Sequence, residues 1–395
     1  MTTLATHESD LAAGVDESYV EQARKLAPLI EAEAAASEEL GTLAPSVVEA
    51  IRESGLFNLM IPAELGGSEV NAVTAISVFE ELTAADASSG WSHMANASSS
   101  AFVAYLRDEA VSLMFADEQV IIAGQYAPKG PAIAVDGGYQ VSGSYSFGSG
   151  SGHANWMGGG TIEMENGAPR FVDGRPFIRA FFVPRTEVEF TGNWDVMGLA
   201  GTGSYDYVVS ERVVPDEFTF LITTPTQYRG GSLYGLGVMG MTSAGHAGFA
   251  LGVSRRAIDE VLALAGRKQR MGHATTVAGI ERFQYELGRH TAKLRAARAF
   301  VYDAFSSVQN SLAPGEMISP PALAVLRQAT THATHVSSEV VDFAYHWSGA
   351  DGIRPGVMQR LWRDTHTSTQ HIFVDDSTFT DAGKQLLIAA GSLPA

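Results

Sequence analysis

Between about 120 and 220 the sequence changes its periodicity, and from Tyr234 it changes back. Upstream, apolar residues fall at helical spacing, as Val20, Ala23, Leu26 and Ile30 do in the Ala- and Glu-rich run of about 17–39. Further helices are expected from Ala44-Pro45, with Pro in the first turn and Gly55 as the stop, and over about 71–85 and 88–105. Inside the window, Gly and Pro turns separate short alternating segments, of which 177–183 and 205–214 are the clearest. Beyond it come four long apolar-striped segments, at about 234–265, 277–310, 320–347 and 356–373, parted by Gly272, by Ala313-Pro314-Gly315 and by 352–355. Helices and strands that are segregated rather than alternating give a mainly α chain with a central β domain. The expected division is an N-terminal α-helical domain over 1–119, a small β domain over 120–225 and a C-terminal four-helix bundle over 226–395. A disordered lead-in is expected over 1–15.

Composition removes several classes of function. A net charge of −18 and a pI near 5.0 argue against a nucleic-acid partner, and no basic stripe counters them. With no cysteine, disulfides, thiolate catalysis and Cys-ligated metal all fall away. The N-terminal stretch has no signal-peptide pattern, and no run approaches the roughly 18 apolar residues of a membrane span; a cytoplasmic chain with no membrane partner is expected. A literal GxGxxG occurs at 235–240 without a preceding apolar strand or a βαβ pattern. It reads as close helix packing, which leaves the chain without an NAD(P)H site of its own. His332, His335 and Glu339 share a helix face and imitate a ligand set, yet their Ala- and Val-rich surroundings fit bundle packing, and no metal is expected.

The stretch 139–156, YQVSGSYSFGSGSGHANW, begins as an alternating strand and dissolves into Ser146, Phe147, Gly148, Ser149, Gly150, Ser151 and Gly152. Such a run lets backbone approach a ligand closely and offers hydroxyls to ring heteroatoms; a plain Gly/Ser-rich hairpin loop is the competing reading. Residues 143–149 resemble the flavin-contacting strand G-x-K-x-W-I-[ST] of the acyl-CoA dehydrogenase superfamily. In that frame Phe147 stands for the aromatic and Ser149 for the hydroxyl near flavin N5, while the lysine is missing and Gly148 replaces Ile. The ending SGxxHAxW looks more like the flavin-dependent monooxygenase branch. The resemblance extends to GLFNLMIPAELGG at 55–67, WDVMGLAGTGS at 194–204, Val213-Val214-Pro215, and RLWRD at 360–364. It covers nearly the whole chain and implies that family's fold: helical domain, small β-barrel or sandwich domain, four-helix bundle.

The same resemblance bears on the chemistry. Acyl-CoA dehydrogenation needs a carboxylate base, in much of the family nine residues after the Arg of the R-D pair; here that position is Ile372. Between Glu217 and Asp259 there is no Asp or Glu, and 124–130 replaces the acidic T-E-P-x-x-G-S-D segment. A dehydrogenase or oxidase would therefore need a relocated base, and a non-catalytic flavin-binding member is a further alternative. In the monooxygenase branch a His at the place of His371 lies near flavin C4a, where it can hydrogen-bond the peroxide formed with O2 in a dry, apolar site. As one of 11 His it could equally be a packed helix residue. Trp91 matches the branch's S-x-G-W, which lines the substrate cavity, and His93 and Asn96 follow it as candidate substrate contacts. The His that phenol-hydroxylating members carry further along falls here among Ser98, Ser99 and Ser100. Trp194, Thr202 and Ser204 resemble residues flanking the flavin and its phosphate-bearing tail. Arg267, Lys268 and Arg270 form a cationic cluster suited to phosphate or, equally, to plain surface charge.

Residues 346–352, which include Trp347, are a degraded form of the family's dinucleotide-binding Q-x-x-G-G-x-G. That favours reduced FMN as cofactor, with FAD the alternative. The implied activity is that of the oxygenase component of a two-component monooxygenase. Reduced flavin would come from a separate NAD(P)H:flavin reductase, react with O2 as the C4a-hydroperoxyflavin, and hydroxylate or N-oxygenate a small organic substrate. A homotetramer is expected because Phe343, Tyr345, Trp347, Met358, Leu361, Trp362, Ile372 and Phe373 exceed what one face would bury, with Trp347 at an interface near the dinucleotide end.

Overall fold

The computed structural model describes residues 14–116, 119–172, 174–313 and 315–394, so most of the expected lead-in lies outside the described residues. The N-terminal helices are α1 (Glu17–Leu40), α2 (Pro45–Glu53), α3 (Ala72–Ala85), α4 (Ala87–Ala101) and α5 (Asp108–Met114). Their starts follow capping chemistry: Asp16, Asn71 and Asp86 accept from Ser18 N, Thr74 N and Ser89 N, and Pro45 opens α2.

The strands are β1 (Ile122–Val135), β2 (Gly138–Gly148), β3 (Trp156–Glu165), β4 (Ala168–Pro169), β5 (Phe171–Val172), β6 (Arg175–Pro176), β7 (Ile178–Pro184), β8 (Glu189–Gly192), β9 (Tyr205–Pro215) and β10 (Thr219–Leu221). The main sheet runs β10-β7-β3-β1-β2-β9-β8, with β4 on β3; β1 and β3 are parallel and the other neighbours antiparallel. Pro128 and Pro131 lie within β1, where register shifts absorb their missing N–H groups.

The chain returns to helix with α6 (Ser232–Gly235), α7 (Gly237–Ala265), α8 (Glu281–Ser311), α9 (Pro320–Ser348), α10 (Val357–Ser368) and α11 (Ser377–Ala389). The GxGxxG run falls at the α6–α7 junction. α9 packs against α7, α8, α10 and α11, and α7 also crosses α3. That crossing is close because Gly252 carries no Cβ; an added one would lie 2.6 Å from Thr83 Cβ. Where α3 meets α7 and α8, the buried Glu80 and the partly buried Glu81 are paired: Arg255 reaches Glu81 at 2.6 Å and Glu80 at 3.5 Å, and Arg298 reaches Glu80. No helix among the described residues is long and apolar enough to cross a membrane.

Two readings are corrected. α10 stops at Ser368 instead of running to 373, and α11 follows it. The hydroxyls of Thr367, Ser368 and Thr369 turn back to the carbonyls of Arg363, Thr365 and His366, a side-chain competition that weakens a helix end. The apolar surplus is also mostly absorbed within the chain. Phe343, Trp347, Met358 and Leu361 are buried, Tyr345 packs on Trp362 at 5.3 Å, and Ile372 is the exposed exception at 74%. Trp347 donates to Glu286 Oε2 at 2.7 Å and lies under Arg270 at 4.4 Å, so it is a core residue of this chain.

Candidate active site

Trp91 projects from α4 to a cluster that the sequence scatters widely. Its ring meets those of His246 and Phe249 at 5.0 Å and His371 at 5.7 Å, each edge to face. His246 and His371 lie 4.4 Å apart, and Phe373 stacks on His246 at 5.6 Å. His371 is not helical: it caps the short turn Ile372–Val374, and its Nδ1 accepts from Phe373 N at 3.3 Å. In the neutral ring the proton therefore sits on Nε2. Burial drives the His371 pKa down to about 4, and burial with the neighbouring His371 drives that of His246 well below its ordinary value. Both imidazoles are neutral at pH 7.

A row of hydroxyls runs from this cluster into the loop 194–204. Trp91 Nε1 lies 3.0 Å from Ser149 Oγ, which is 2.7 Å from Ser204 Oγ; Thr202 Oγ1 follows at 2.7 Å, then the Leu199 carbonyl at 2.7 Å. An indole N–H only donates and a carbonyl only accepts. Three hydroxyl protons can then fill the three remaining contacts in one way: Ser149 donates to Ser204, Ser204 to Thr202, and Thr202 to Leu199. Ser149 keeps one lone pair free, an acceptor for a ligand N–H.

The loop itself is locked to α10. Asp364 Oδ1 accepts from Leu199 N at 2.5 Å, and Arg363 donates to Met197 O at 2.9 Å and pairs with Glu38 at 2.5 Å. Burial and the nearby Asp86 push the Asp364 carboxyl up to about 7. On the outer side, Phe147 sits at φ 64°, is 62% exposed, and has its ring 6.3 Å from that of Trp194, whose indole N–H donates to Ala200 O at 2.9 Å. A bulky residue held in the left-handed region and left in solvent is a strained feature of the kind found at ligand clamps. Gly148 ends β2 and is buried.

The structure thus brings together Trp91, Ser149, Thr202, Ser204 and His371, with Phe147, Gly148 and Trp194 alongside. It does not bring His93 and Asn96 to them as substrate contacts. His93 Nε2 donates to Leu56 O at 2.9 Å; Asn96 donates to Ile122 O at 3.0 Å and accepts from His153 Nε2 at 2.8 Å. Both are fully buried and tie α4 to its neighbours. Arg270 donates to His346 O at 2.7 Å and Lys268 pairs with Asp351 at 2.8 Å, while Arg267 is exposed; with Trp347 they hold the α7–α9 corner together. His335 pairs with Asp376 at 2.9 Å and Glu339 with Lys293, which disperses the imitation ligand set. Sequence reading missed His246, Phe249 and Phe373. The available signal was a His in the Ala- and Gly-rich 243–250, within the acid-free span already noted.

Two family models match: Acyl-CoA dehydrogenase, N-terminal domain, over residues 16–109, and Acyl-CoA dehydrogenase, C-terminal domain, over residues 244–376. The chain belongs to the acyl-CoA dehydrogenase family. Among relatives in this family, indole-3-acetate monooxygenase of Pseudomonas putida is 28% identical over 345 residues, 85% of each chain. Oxygenase subunit HsaA, a flavin-dependent monooxygenase of Mycobacterium tuberculosis, is 28% identical over 361 residues, 88% of this chain and 89% of that one. The solved structure of XiaF from Streptomyces sp., in complex with FADH2 and glycerol, has the same fold, with a TM-score of 0.86 over 100% of both chains at 21% identity. These relatives place the chain in the family's flavin-dependent monooxygenase branch.

Proposed function

We propose that this chain is the oxygenase component of a two-component flavin-dependent monooxygenase. It takes reduced flavin from a separate NAD(P)H:flavin reductase and, with O2, hydroxylates or N-oxygenates a small organic substrate. The observation that carries this reading is the cluster at Trp91, whose titratable members are two neutral imidazoles and whose described contacts include no carboxylate. The dehydrogenase alternative lacks a base there, since Ile372 occupies the expected place.

Bound reduced flavin would supply the electrons that activate O2. The residues present fit such a group: the free acceptor of Ser149 suits the N–H of a reduced ring, and Phe147 and Trp194 offer apolar surface beside it. Trp91, Phe249 and Phe373 exclude water, and the Nε2–H of His371 can donate to a developing oxygen anion without giving up its proton. Between FMN and FAD the degraded 346–352 segment favours FMN, and a cytoplasmic setting is assumed. A homotetramer remains part of this reading, now argued from exposed Ile353, Ile372, Leu386 and Leu387, which a partner subunit would cover. Light scattering should give four chains per particle; a monodisperse monomer excludes it.

Anaerobic titration of the apoprotein with reduced FMN, reduced FAD and their oxidised forms tests the central claim. Reduced flavin should bind at least about ten-fold more tightly, a difference of about 1.4 kcal/mol. Equal affinity for the oxidised form, together with bleaching by NADH alone, would defeat it.

A further inference from the structure

His246 is unassigned by the sequence motifs and stands at the centre of the cluster. It is 4% exposed, and among the described hydrogen bonds neither of its ring nitrogens has one. A buried imidazole without a protein partner calls for another partner, because leaving a polar group unsatisfied is costly. Its walls are aromatic and flat: Trp91 edge-on at 5.0 Å, Phe373 stacked at 5.6 Å with a 13° tilt, and His371 at 4.4 Å. His371 offers a fixed Nε2–H donor, since its Nδ1 is taken by Phe373 N. His246, neutral, still has an acceptor nitrogen to give.

We propose that His246 is a substrate-orienting residue, accepting a hydrogen bond from the hydroxyl or ring N–H of a planar aromatic substrate that packs against the cluster of Trp91, His246, His371 and Phe373. The aromatic walls take the ring through edge-to-face and stacking contacts, and the imidazole fixes which way it points. Rotating the ring in its plane would leave that nitrogen unpaired, so this one contact selects the carbon presented to the oxidant.

This rests on the oxygenase reading, and the test separates the two. Dissociation constants for indole and for indene, the same bicycle without an N–H, are measured anaerobically on the enzyme loaded with reduced flavin. The wild type should prefer indole by about two- to ten-fold, the worth of one neutral hydrogen bond. His246→Phe should erase the preference while keeping indene affinity, and His246→Gln should retain part of it. Reduced-flavin affinity should be unchanged in both, and their thermal midpoints report whether they fold. Equal binding of the two probes by the wild type, no binding of either, or a preference that survives in His246→Phe overturns the inference. Failure to bind reduced flavin at all overturns the oxygenase reading instead.

Discussion

Lowering the pH from about 6.5 to about 4 should unfold this protein, with protons taken up by four imidazoles that the fold keeps neutral. Burial holds His93 and His371 down at about 4 and His153 at about 3, and His246 lies well below its ordinary range. The Nδ1 atoms of His93 and His153 have no partner among the described residues, so a proton added there would be unsolvated. Above pH 6.5 neither state binds these protons and stability is unaffected. Between 6.5 and about 4 the unfolded chain binds them and the folded one does not, so stability falls with pH. Each unit of separation is about 1.4 kcal/mol, and four such groups reach several kcal/mol, comparable with the roughly 5–15 kcal/mol that holds a protein folded. Asp364 opposes this: raised to about 7, it gains its proton first in the folded state, and stability from it grows as pH falls from there toward the ordinary Asp range. Asp86 and Asp259, also raised by burial, act in the same sense as Asp364, and the four imidazoles outweigh these three carboxyls. The thermal midpoint should be level from pH 8 to 6.5 and fall steeply by pH 4.5. A midpoint that stays level to pH 4.5 would mean that these rings are not enclosed as described.

Gly198→Ala should strongly weaken flavin binding although residue 198 offers no side chain to any ligand. A Cβ there would lie 2.3 Å from the Arg363 carbonyl oxygen and 2.4 Å from its carbon, backbone atoms of α10 that cannot rotate aside. The loop must lift, which breaks the Leu199–Asp364 hydrogen bond and displaces Thr202 and Ser204 from Ser149. Forced overpacking of this kind costs about 1–3 kcal/mol in stability. We expect at least a ten-fold loss of reduced-flavin affinity, about 1.4 kcal/mol. Met197→Ala, next door with its side chain 53% exposed, should change little. Titration of both variants decides; parental affinity in Gly198→Ala would show that the hydroxyl row does not hold the cofactor.

The order of helices and strands was legible because periodicity switches twice and cap residues mark the helix starts. So were Trp91, Ser149, Thr202, Ser204 and His371, each fixed by its place in a motif. What stayed hidden depended on neighbours distant in sequence. His246 gains meaning only because small residues let α7 cross α3 closely enough to bring its ring to Trp91. His93 and Asn96 share α4 with Trp91, but their partners, Leu56 and His153, lie on other elements. Trp347 looked like surplus surface because the residues that enclose it are distant in sequence, Glu286 on α8 and Arg270 in the connector after α7. The length of β1 was hidden as well, because Pro128 and Pro131 fall inside it and only the pairing with β3 shows how its bulges accommodate them.

The burial of α3 has a consequence for synthesis. All of its residues except Glu81 and Ala84 are buried, and the helix that crosses it, α7, begins only at Gly237. At roughly 5–20 residues per second, α3 leaves the ribosome on the order of ten to thirty seconds before that partner exists. The whole β domain is made during the wait. For that interval α3 can dock only on its early neighbours α1 and α4, while the face that α7 will cover, with Ile76 and Phe79, stays exposed on the nascent chain.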